Sequence, residues 1–164
     1  MKNISKLIKQ ISFRTATVED VKILIDYRIQ FLKEIGQKFN SKLDAELRCN
    51  LQEYFAVNIK AKKFVALIAE IQGKPVGFGG MVIRSQPGNF QVPQGRTGYI
   101  LNMYTVAEYR RKGIGKEILK LLLNEGNKLN LDRIDLEATE MGEPLYRNLG
   151  FNEPYYRAMK KYLD

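Results

Sequence analysis

The 164-residue sequence predicts one domain, residues 1–164, of the α/β (α+β) class. Its mixed sheet is expected to have an antiparallel first half and a parallel βαβ crossover in the second. Phe64 to Ile71 and Val76 to Arg84 are apolar or alternating runs separated by Gln72-Gly73-Lys74-Pro75, a composition typical of a hairpin turn. Farther along, a strand-like run, an amphipathic helical pattern and a second strand-like run follow one another, which is the order of a βαβ unit.

The first part of the chain combines one strand with two helices. Ile11 to Thr17 is short and rich in β-branched and aromatic residues, which favours a strand. Thr17 with Asp20 resembles a capping box, and apolar residues then recur at helical spacing up to about Gly36. Ser41 with Asp44 offers a second cap, so another helix is expected before the sheet continues.

The second part contains the βαβ unit. Ser85 to Gly98 has glycines, prolines and few core residues, so it is expected to form a long loop, and loops of that length are often functional. Tyr99 to Val106 and Ile134 to Ala138 are the two expected strands, joined by a helix from Ile114 to about Asn130. Because the crossover is helical, the two strands should be parallel.

The last residues carry weaker signals. Glu143 to Asn148 is expected to form a brief helix that Gly150 ends. Tyr155 to Tyr162 can supply one more strand.

Composition excludes several kinds of chemistry. With 27 Lys and Arg against 18 Asp and Glu, the net charge is +9, which makes polyanions plausible ligands. The absence of histidine and the single cysteine, Cys49, exclude most zinc sites, histidine-activated nucleophiles and internal disulfides. Cys49 itself is expected to be packed as a small hydrophobe. No metal is expected.

No signal for secretion or membrane insertion is visible. Met1 to Gln10 is basic but lacks the apolar stretch of a signal peptide. The longest apolar run, Phe64 to Ala69, is far too short to cross a bilayer. We therefore expect a cytoplasmic protein that does not associate with membranes.

The segment from Val106 to Lys116 combines glycines with positive charge at the start of a predicted helix. Gly113 and Gly115 allow a ligand to approach the backbone, where the first helical turn presents unpaired N–H groups and the positive end of its dipole. From 110 to 120 there are five positive residues against one negative: Arg110, Arg111, Lys112, Lys116 and Lys120 against Glu117. This combination predicts a phosphate-binding site.

Two common nucleotide motifs do not fit this segment. A P-loop would need Gly at position 110 and Ser or Thr at position 117, where the chain has Arg110 and Glu117. A dinucleotide-binding fingerprint would need a small residue at position 118, where the chain has Ile118. Both motifs are excluded by spacing.

Two motifs together resemble a known family. Arg110-x-x-Gly113-x-Gly115 is similar to the acetyl-CoA-binding motif of the GCN5-related N-acetyltransferase (GNAT) superfamily, which reads Arg or Gln, two residues, Gly, one residue, Gly or Ala. Leu145-Tyr146-Arg147-Asn148-Leu149-Gly150-Phe151 resembles that family's Leu-Tyr-x-x-x-Gly-Phe segment. The two motifs occur at the expected separation, and the order of elements agrees over nearly the whole chain.

The resemblance implies a GNAT-type fold and transfer of acetyl from the co-substrate acetyl-CoA to a primary amine, by direct attack in a ternary complex. Tyr146 would protonate the departing thiolate, and the main chain from Met103 to Thr105 would contact the acetyl carbonyl and the pantetheine arm. The residues implied as acetyl-CoA contacts are Met103, Tyr104, Thr105, Arg110, Arg111, Lys112, Gly113, Ile114, Gly115 and Lys116.

Other parts of such a site cannot be assigned from the sequence. The family often places contacts in the connection before Tyr146, commonly through an asparagine, where this chain has Ala138-Thr139-Glu140 and then Gly142. The general base could be a carboxylate, a tyrosine or a water chain. The candidate carboxylates for this role are Glu34, Glu70, Glu108 and Glu137, and each of them fits an ordinary surface or sheet-edge residue better.

The sequence also leaves open which amine accepts the acetyl group. A small-molecule or peptide amine is expected to bind between the first two helices and the Ser85 to Gly98 loop. Dimers are common in the superfamily, so a homodimer is one expectation. The alternatives are a catalytically silent acyl-CoA-binding relative and a basic nucleic-acid-binding module. Nucleic acid is disfavoured because the basic residues are not interleaved with aromatic residues in a recognised binding motif.

Overall fold

The structure is a computed structural model that describes residues 10–163, so the prediction made on Met1 to Gln10 lies outside it except for its last residue. One sheet of five strands runs through the molecule, in the order β1-β2-β3-β4-β5. The strands are β1 (Ile11–Thr15), β2 (Phe64–Ile71), β3 (Lys74–Ser85), β4 (Arg96–Thr105) and β5 (Arg133–Leu136). Neighbouring strands are antiparallel up to β4, and β5 is parallel to β4. The predicted fold class, with its hairpin and βαβ crossover, is confirmed.

Helices cover both faces of the sheet. They are α1 (Val21–Glu34), α2 (Ser41–Lys60), α3 (Ile114–Lys128) and α4 (Glu143–Arg147), with short 3-10 turns at Val18–Asp20 and Ala107–Tyr109. On one face, α1 and α2 bury Leu24 and Phe55 against β2 and β3. On the other face, α3 and α4 bury Ile118 and Tyr146. Two hydrophobic cores therefore lie on opposite sides of one sheet.

Polar contacts cap the 3-10 turn that leads into α1, and a further one caps the start of α2. The Thr17 backbone N–H donates to the buried Asp20 carboxylate at 2.8 Å, as the capping-box pattern predicted. Arg14 bridges Asp20 and Glu70, and its hydrogen bonds lower the pKa of the Asp20 carboxyl. The second cap lies one residue earlier than predicted, because the side chain of Asn40 accepts from the Leu43 N–H at 2.9 Å.

The connection between β3 and β4 is shorter than predicted. Ser85 pairs with Arg96 and Arg84 with Thr97, so the loop covers only residues 86–95. Composition did not indicate strand ends here because the side chains are polar. Pairing with a neighbouring strand outweighs this weak local preference. The loop is compact, with Val92 buried and the Gln94 N–H donating to Asp132 at 2.9 Å.

Strand β4 is irregular at its centre. Phe78 pairs with Tyr104 and Gly80 with Leu101, so Asn102 and Met103 together face the single residue between those partners on β3. This is a β-bulge, and Asn102 adopts the left-handed backbone conformation with a φ of 60°. Asparagine tolerates this conformation better than the β-branched and aromatic residues around it.

Strand β4 also loses one neighbour. Its parallel pairing with β5 ends at Ile100 and Leu136, while β4 itself continues to Thr105. Beyond Ile100 the β5-facing edge of β4 is therefore left without a strand partner. Main-chain groups on that edge are available to a ligand.

Two predictions on other segments are wrong. Tyr155 to Tyr162 does not form a strand, and its large side chains are exposed, because strand-forming composition is not enough without a partner ladder and a surface to pack against. Cys49 is exposed rather than packed, since it lies on the solvent side of α2, between the inward-facing Leu47 and Leu51. Within residues 10–163, no helix is long and apolar enough to span a membrane.

Stability should depend strongly on the inward face of α2. Phe55 is 1% exposed and Val57, on the same helix, is 57% exposed. We expect Phe55→Ala to lower the free energy of unfolding by about 3–5 kcal/mol, through lost burial and the cavity left behind. The matched Val57→Ala change should cost less than about 0.5 kcal/mol. Urea unfolding followed by circular dichroism measures both, and equal losses would contradict the described packing of α2.

Candidate functional site

A cavity of about 860 Å³ opens where β4 and β5 diverge. Its wall is formed by residues from the end of α1, the second half of β4, the turn into α3 and the segment around α4. One continuous space therefore connects the helix α3 start with the bulged part of β4. The size is that of a site for a sizeable small molecule.

The turn between β4 and α3 is shaped for an anion. Arg111 and Gly113 both have positive φ angles, 59° and 82°, and left-handed residues of this kind occur in backbone turns that bind anions. The Glu117 N–H donates to the Gly113 carbonyl at 3.0 Å, so the amides of the first helical residues, Ile114 to Lys116, remain for an outside acceptor. A Cβ atom at Gly113 would meet no heavy atom within 4 Å, so space is open beside these amides.

Positive side chains accompany these amides. Arg111 and Lys116 line the cavity, and neither is in an ion pair with the residues that the structure describes. Together with the positive end of the α3 dipole, they favour a negatively charged ligand group at this end of the cavity.

Arg110 has a different environment from its neighbours. Its Nε donates to the Thr105 carbonyl at 2.8 Å, and another of its nitrogens is bonded to Glu34, at the end of α1. Glu34 also accepts from the Tyr104 hydroxyl at 2.9 Å. Burial, with this contact, raises the pKa of Tyr104 to about 12. The Arg110 side chain therefore connects α1 to the turn, and two of its nitrogens are already hydrogen-bonded within the protein.

Tyr146 lies on the opposite wall, on α4. Its side chain is only 9% exposed, and its ring packs edge-on against Phe151 with ring centroids 6.0 Å apart. The hydroxyl has no hydrogen-bond partner among residues 10–163, and burial raises its pKa above the ordinary value of 10.0. Tyr146 therefore carries its proton at neutral pH and can donate it into the cavity.

The structure brings nearly all of the predicted site residues together. Met103, Tyr104, Thr105, Arg110, Arg111, Gly113, Ile114, Gly115, Lys116 and Tyr146 line the cavity. Lys112 is the exception, because its amine folds back to the Glu108 carbonyl at 2.6 Å and lies over the Tyr109 ring. Thr139 and Gly142, which lie in the connection before Tyr146, also line the cavity.

The acceptor side differs from the expectation. Neither α2 nor residues 85–98 line the cavity, whereas α1 contributes Phe31, Glu34 and Ile35. Two of the candidate carboxylates, Glu34 and Glu137, line the cavity. Glu34 is hydrogen-bonded to Tyr104 and Arg110. Lys160 contacts the Glu137 carboxyl at 2.6 Å and lowers its pKa.

Asn102 was missed by the sequence analysis. It is a buried polar residue that lines the cavity. The available signal was a single asparagine within the apolar run from Tyr99 to Tyr104, where a buried amide needs a specific reason.

Comparison with known proteins agrees with this geometry. The model of the Acetyltransferase (GNAT) family matches residues 27–151, most of the chain. The chain is 37% identical over 67 residues to the uncharacterized N-acetyltransferase YsnE of Bacillus subtilis (strain 168); this match spans 37% of the chain but only 44% of that relative.

Solved structures match over almost the whole length. A predicted acetyltransferase from Clostridium acetobutylicum, crystallised with acetyl-CoA, has a TM-score of 0.83 and 28% identity, over 92% of this chain and 96% of that chain. A GCN5-related N-acetyltransferase from Ralstonia eutropha JMP134 has the same fold, with a TM-score of 0.82 and 22% identity over 92% of this chain and 98% of that chain. By family model, fold and cavity, this chain belongs to the GNAT family of acetyltransferases.

Proposed function

We propose that the protein is an N-acetyltransferase that transfers the acetyl group of acetyl-CoA to a primary amine within a ternary complex. The observation that carries the proposal is the single cavity that joins an anion-binding helix start to a strand edge free of its neighbour. The acetyl-CoA complex of the Clostridium acetobutylicum relative supports the choice of co-substrate.

The charge and the extent of the cavity support acetyl-CoA as the co-substrate. The diphosphate would bind the amides of Gly113 to Lys116, with Arg111 and Lys116 adding positive charge. Arg110 would act through Glu34 and Thr105, by holding the turn in place, and it has less capacity left for a phosphate. The pantetheine arm would run along the free edge of β4, where amide groups of the arm can pair with the main chain from Met103 to Thr105.

The reaction needs mainly positioning, because a thioester is already activated. The amine nitrogen attacks the thioester carbonyl carbon, and the negative oxygen that develops would be stabilised by a main-chain N–H of the bulged strand. The C–S bond then breaks, and the sulfur takes the proton of the Tyr146 hydroxyl. The proton lost by the amine passes to solvent and a new proton returns to Tyr146, so that an amide and a free thiol are the products.

No residue among residues 10–163 is assigned as the general base that accepts the proton of the amine. Glu34 already holds Tyr104 and Arg110, and Glu137 is paired with Lys160. Water in the open cavity is the simplest acceptor for the amine's proton.

Replacing Tyr146 by phenylalanine tests its role as the acid. We expect Tyr146→Phe to lower kcat by about 10²–10⁴-fold, because the thiolate would leave unprotonated. The dissociation constant for acetyl-CoA should change by less than about twofold, since the ring and its packing remain. Thiol release with an amine panel and calorimetric titration with acetyl-CoA measure the two quantities, with the exposed Tyr156→Phe as the control.

Unchanged turnover in Tyr146→Phe would remove Tyr146 from the mechanism. Acetyl-CoA binding by the wild type without thiol release from any amine would instead favour a silent acyl-CoA-binding relative. If acetyl-CoA did not bind at all, the proposed function would be sunk.

Gly113 and Gly73 form a matched pair of glycines for testing the turn between β4 and α3. Both have positive φ angles, 82° and 74°, and open space at the Cβ position, but Gly73 is in the β2–β3 hairpin turn, away from the cavity. Replacing either by alanine should therefore cost a similar backbone strain of about 1–2 kcal/mol. We expect only Gly113→Ala to weaken acetyl-CoA binding, by at least about tenfold, through contact with the bound diphosphate. Calorimetry and thermal unfolding separate the two effects, and equal affinities in the two variants would place the diphosphate elsewhere.

A further inference from the structure

Arg28, on α1, contacts the bulge of β4 and leaves hydrogen-bonding capacity unused there. One of its terminal nitrogens donates to the side-chain oxygen of Asn102. The Arg28 Nε and the Asn102 Nδ2 are buried and have no partner among the described residues. Two buried donors without an acceptor, on residues that are hydrogen-bonded to each other and of which Asn102 lines the cavity, call for an outside group that accepts hydrogen bonds.

The charge of Arg28 is also uncompensated. The side chain is partly buried, and burial lowers the pKa of its guanidinium, although an arginine stays charged. Within residues 10–163 no carboxylate is paired with Arg28, whereas five other arginines have such partners: Arg14, Arg48, Arg110, Arg133 and Arg147. A partly buried charge without a partner is unfavourable in the free protein, and an anionic ligand would relieve it.

A second guanidinium lies in the same region of this sheet face. Arg84, at the end of β3, stacks on the ring of Tyr99 with 3.8 Å between Cζ and the ring centroid, and it has no ion pair in the described part of the chain. Burial raises the pKa of Tyr54, and the charges of both Arg28 and Arg84 act against that rise. Both positive charges therefore act on the same tyrosine. The nearby carboxylate, Glu137, is already paired with Lys160.

Arg28 lies behind the acceptor end of the cavity: it does not line the cavity itself, but its hydrogen-bond partner Asn102 does. Arg28 precedes Phe31 by one helical turn, and Phe31, Glu34 and Ile35 form the α1 wall of the cavity. The amides that fit the acetyl-CoA diphosphate lie at the other end, after Thr105 has ended β4 and the chain has turned into α3. The phosphates of acetyl-CoA therefore do not account for Arg28.

We propose that the acceptor is an amine that also carries a carboxylate or phosphate group, and that Arg28 binds this anionic group beside the bulge. This rests on the acetyl transfer proposed above and narrows its acceptor class. The planar guanidinium suits two oxygens of one anion, and Asn102 Nδ2 can donate to the same group. Holding the anion at the bulge would place the rest of the acceptor next to the strand edge where the acetyl group would lie.

The test compares acceptors that differ only in the anion. The pairs are L-phenylalanine with L-phenylalaninamide, and glucosamine 6-phosphate with glucosamine, each assayed with acetyl-CoA for thiol release. We expect kcat/KM to be roughly 10- to 100-fold higher for the anionic member of at least one pair. The pair that shows it separates carboxylate from phosphate. Equal or better use of the neutral member in both pairs would overturn the proposal.

Arg28 variants link the preference to this residue. We expect Arg28→Gln to lower the ratio of anionic to neutral kcat/KM roughly 10- to 100-fold, mainly through KM, and Arg28→Lys to lower it less because the charge remains. A purely structural role would reduce both members of a pair alike. Lys22→Gln removes a positive charge from the exposed face of the same helix and should keep the ratio. If Arg28→Gln does not fold, Arg84→Gln tests the second arginine without an ion pair, and it should lower the same ratio by a smaller factor. An unchanged ratio in Arg84→Gln would then contradict the proposal.

Binding measurements separate this proposal from the proposed function. The four compounds are titrated into the protein saturated with CoA and followed by calorimetry. If none of them is acetylated but an anionic member binds and Arg28→Gln weakens it, the anionic site stands while the acetyl transfer fails for these amines. If only neutral amines bind and are acetylated, the enzyme function stands and the anionic site is overturned. Failure of both anionic compounds to bind also overturns it.

Discussion

The divergence of β4 from β5 beyond Ile100 is the constraint on which the rest of the site depends. A strand inside a sheet normally has both edges bonded, so a free edge in the interior exists only if something holds the strand on its other side. Here β3 does so along the full length of β4, and helices α1 and α3 hold the two faces. The bulge at Asn102 adds a local twist at the point of divergence, so the main chain of β4 faces the cavity rather than a neighbouring strand.

Charge is distributed unevenly around this opening. Glu34 compensates Arg110 and fixes the end of α1 to the turn before α3, which makes that contact structural. Arg111 and Lys116 line the cavity, whereas Arg28 and Arg84 lie outside its lining, and none of these four side chains is paired with a carboxylate in the part of the chain that the structure describes. The net charge of +9 is therefore expressed in part as two separate groups of positive side chains without carboxylate partners.

Much of the fold could be predicted from sequence because its signals are local. The hairpin turn at Gln72 and Gly73, the periodicity of α3 and the helical crossover each follow from patterns a few residues long. The glycine-rich turn could be predicted for the same reason, since positive φ at Gly113 and free amides at a helix start need no distant partner. Tyr146 required a longer motif, because one tyrosine among nine has no distinguishing mark of its own.

The sequence-based predictions that were wrong depended on residues far away in the chain. The strand expected from Tyr155 to Tyr162 needs a neighbour that composition cannot supply, and Cys49 was misjudged because only the packing of α2 shows which face is inward. The pairing of Arg28 with Asn102 joins residues that are 74 positions apart.

The sequence by itself determined the class of fold, the glycine-rich turn before α3 and the kinds of chemistry excluded for a chain without histidine. Only the tertiary structure decided which charges are neutralised and which remain unpaired at the cavity, because ion pairs and burial are properties of residues brought together from separate elements.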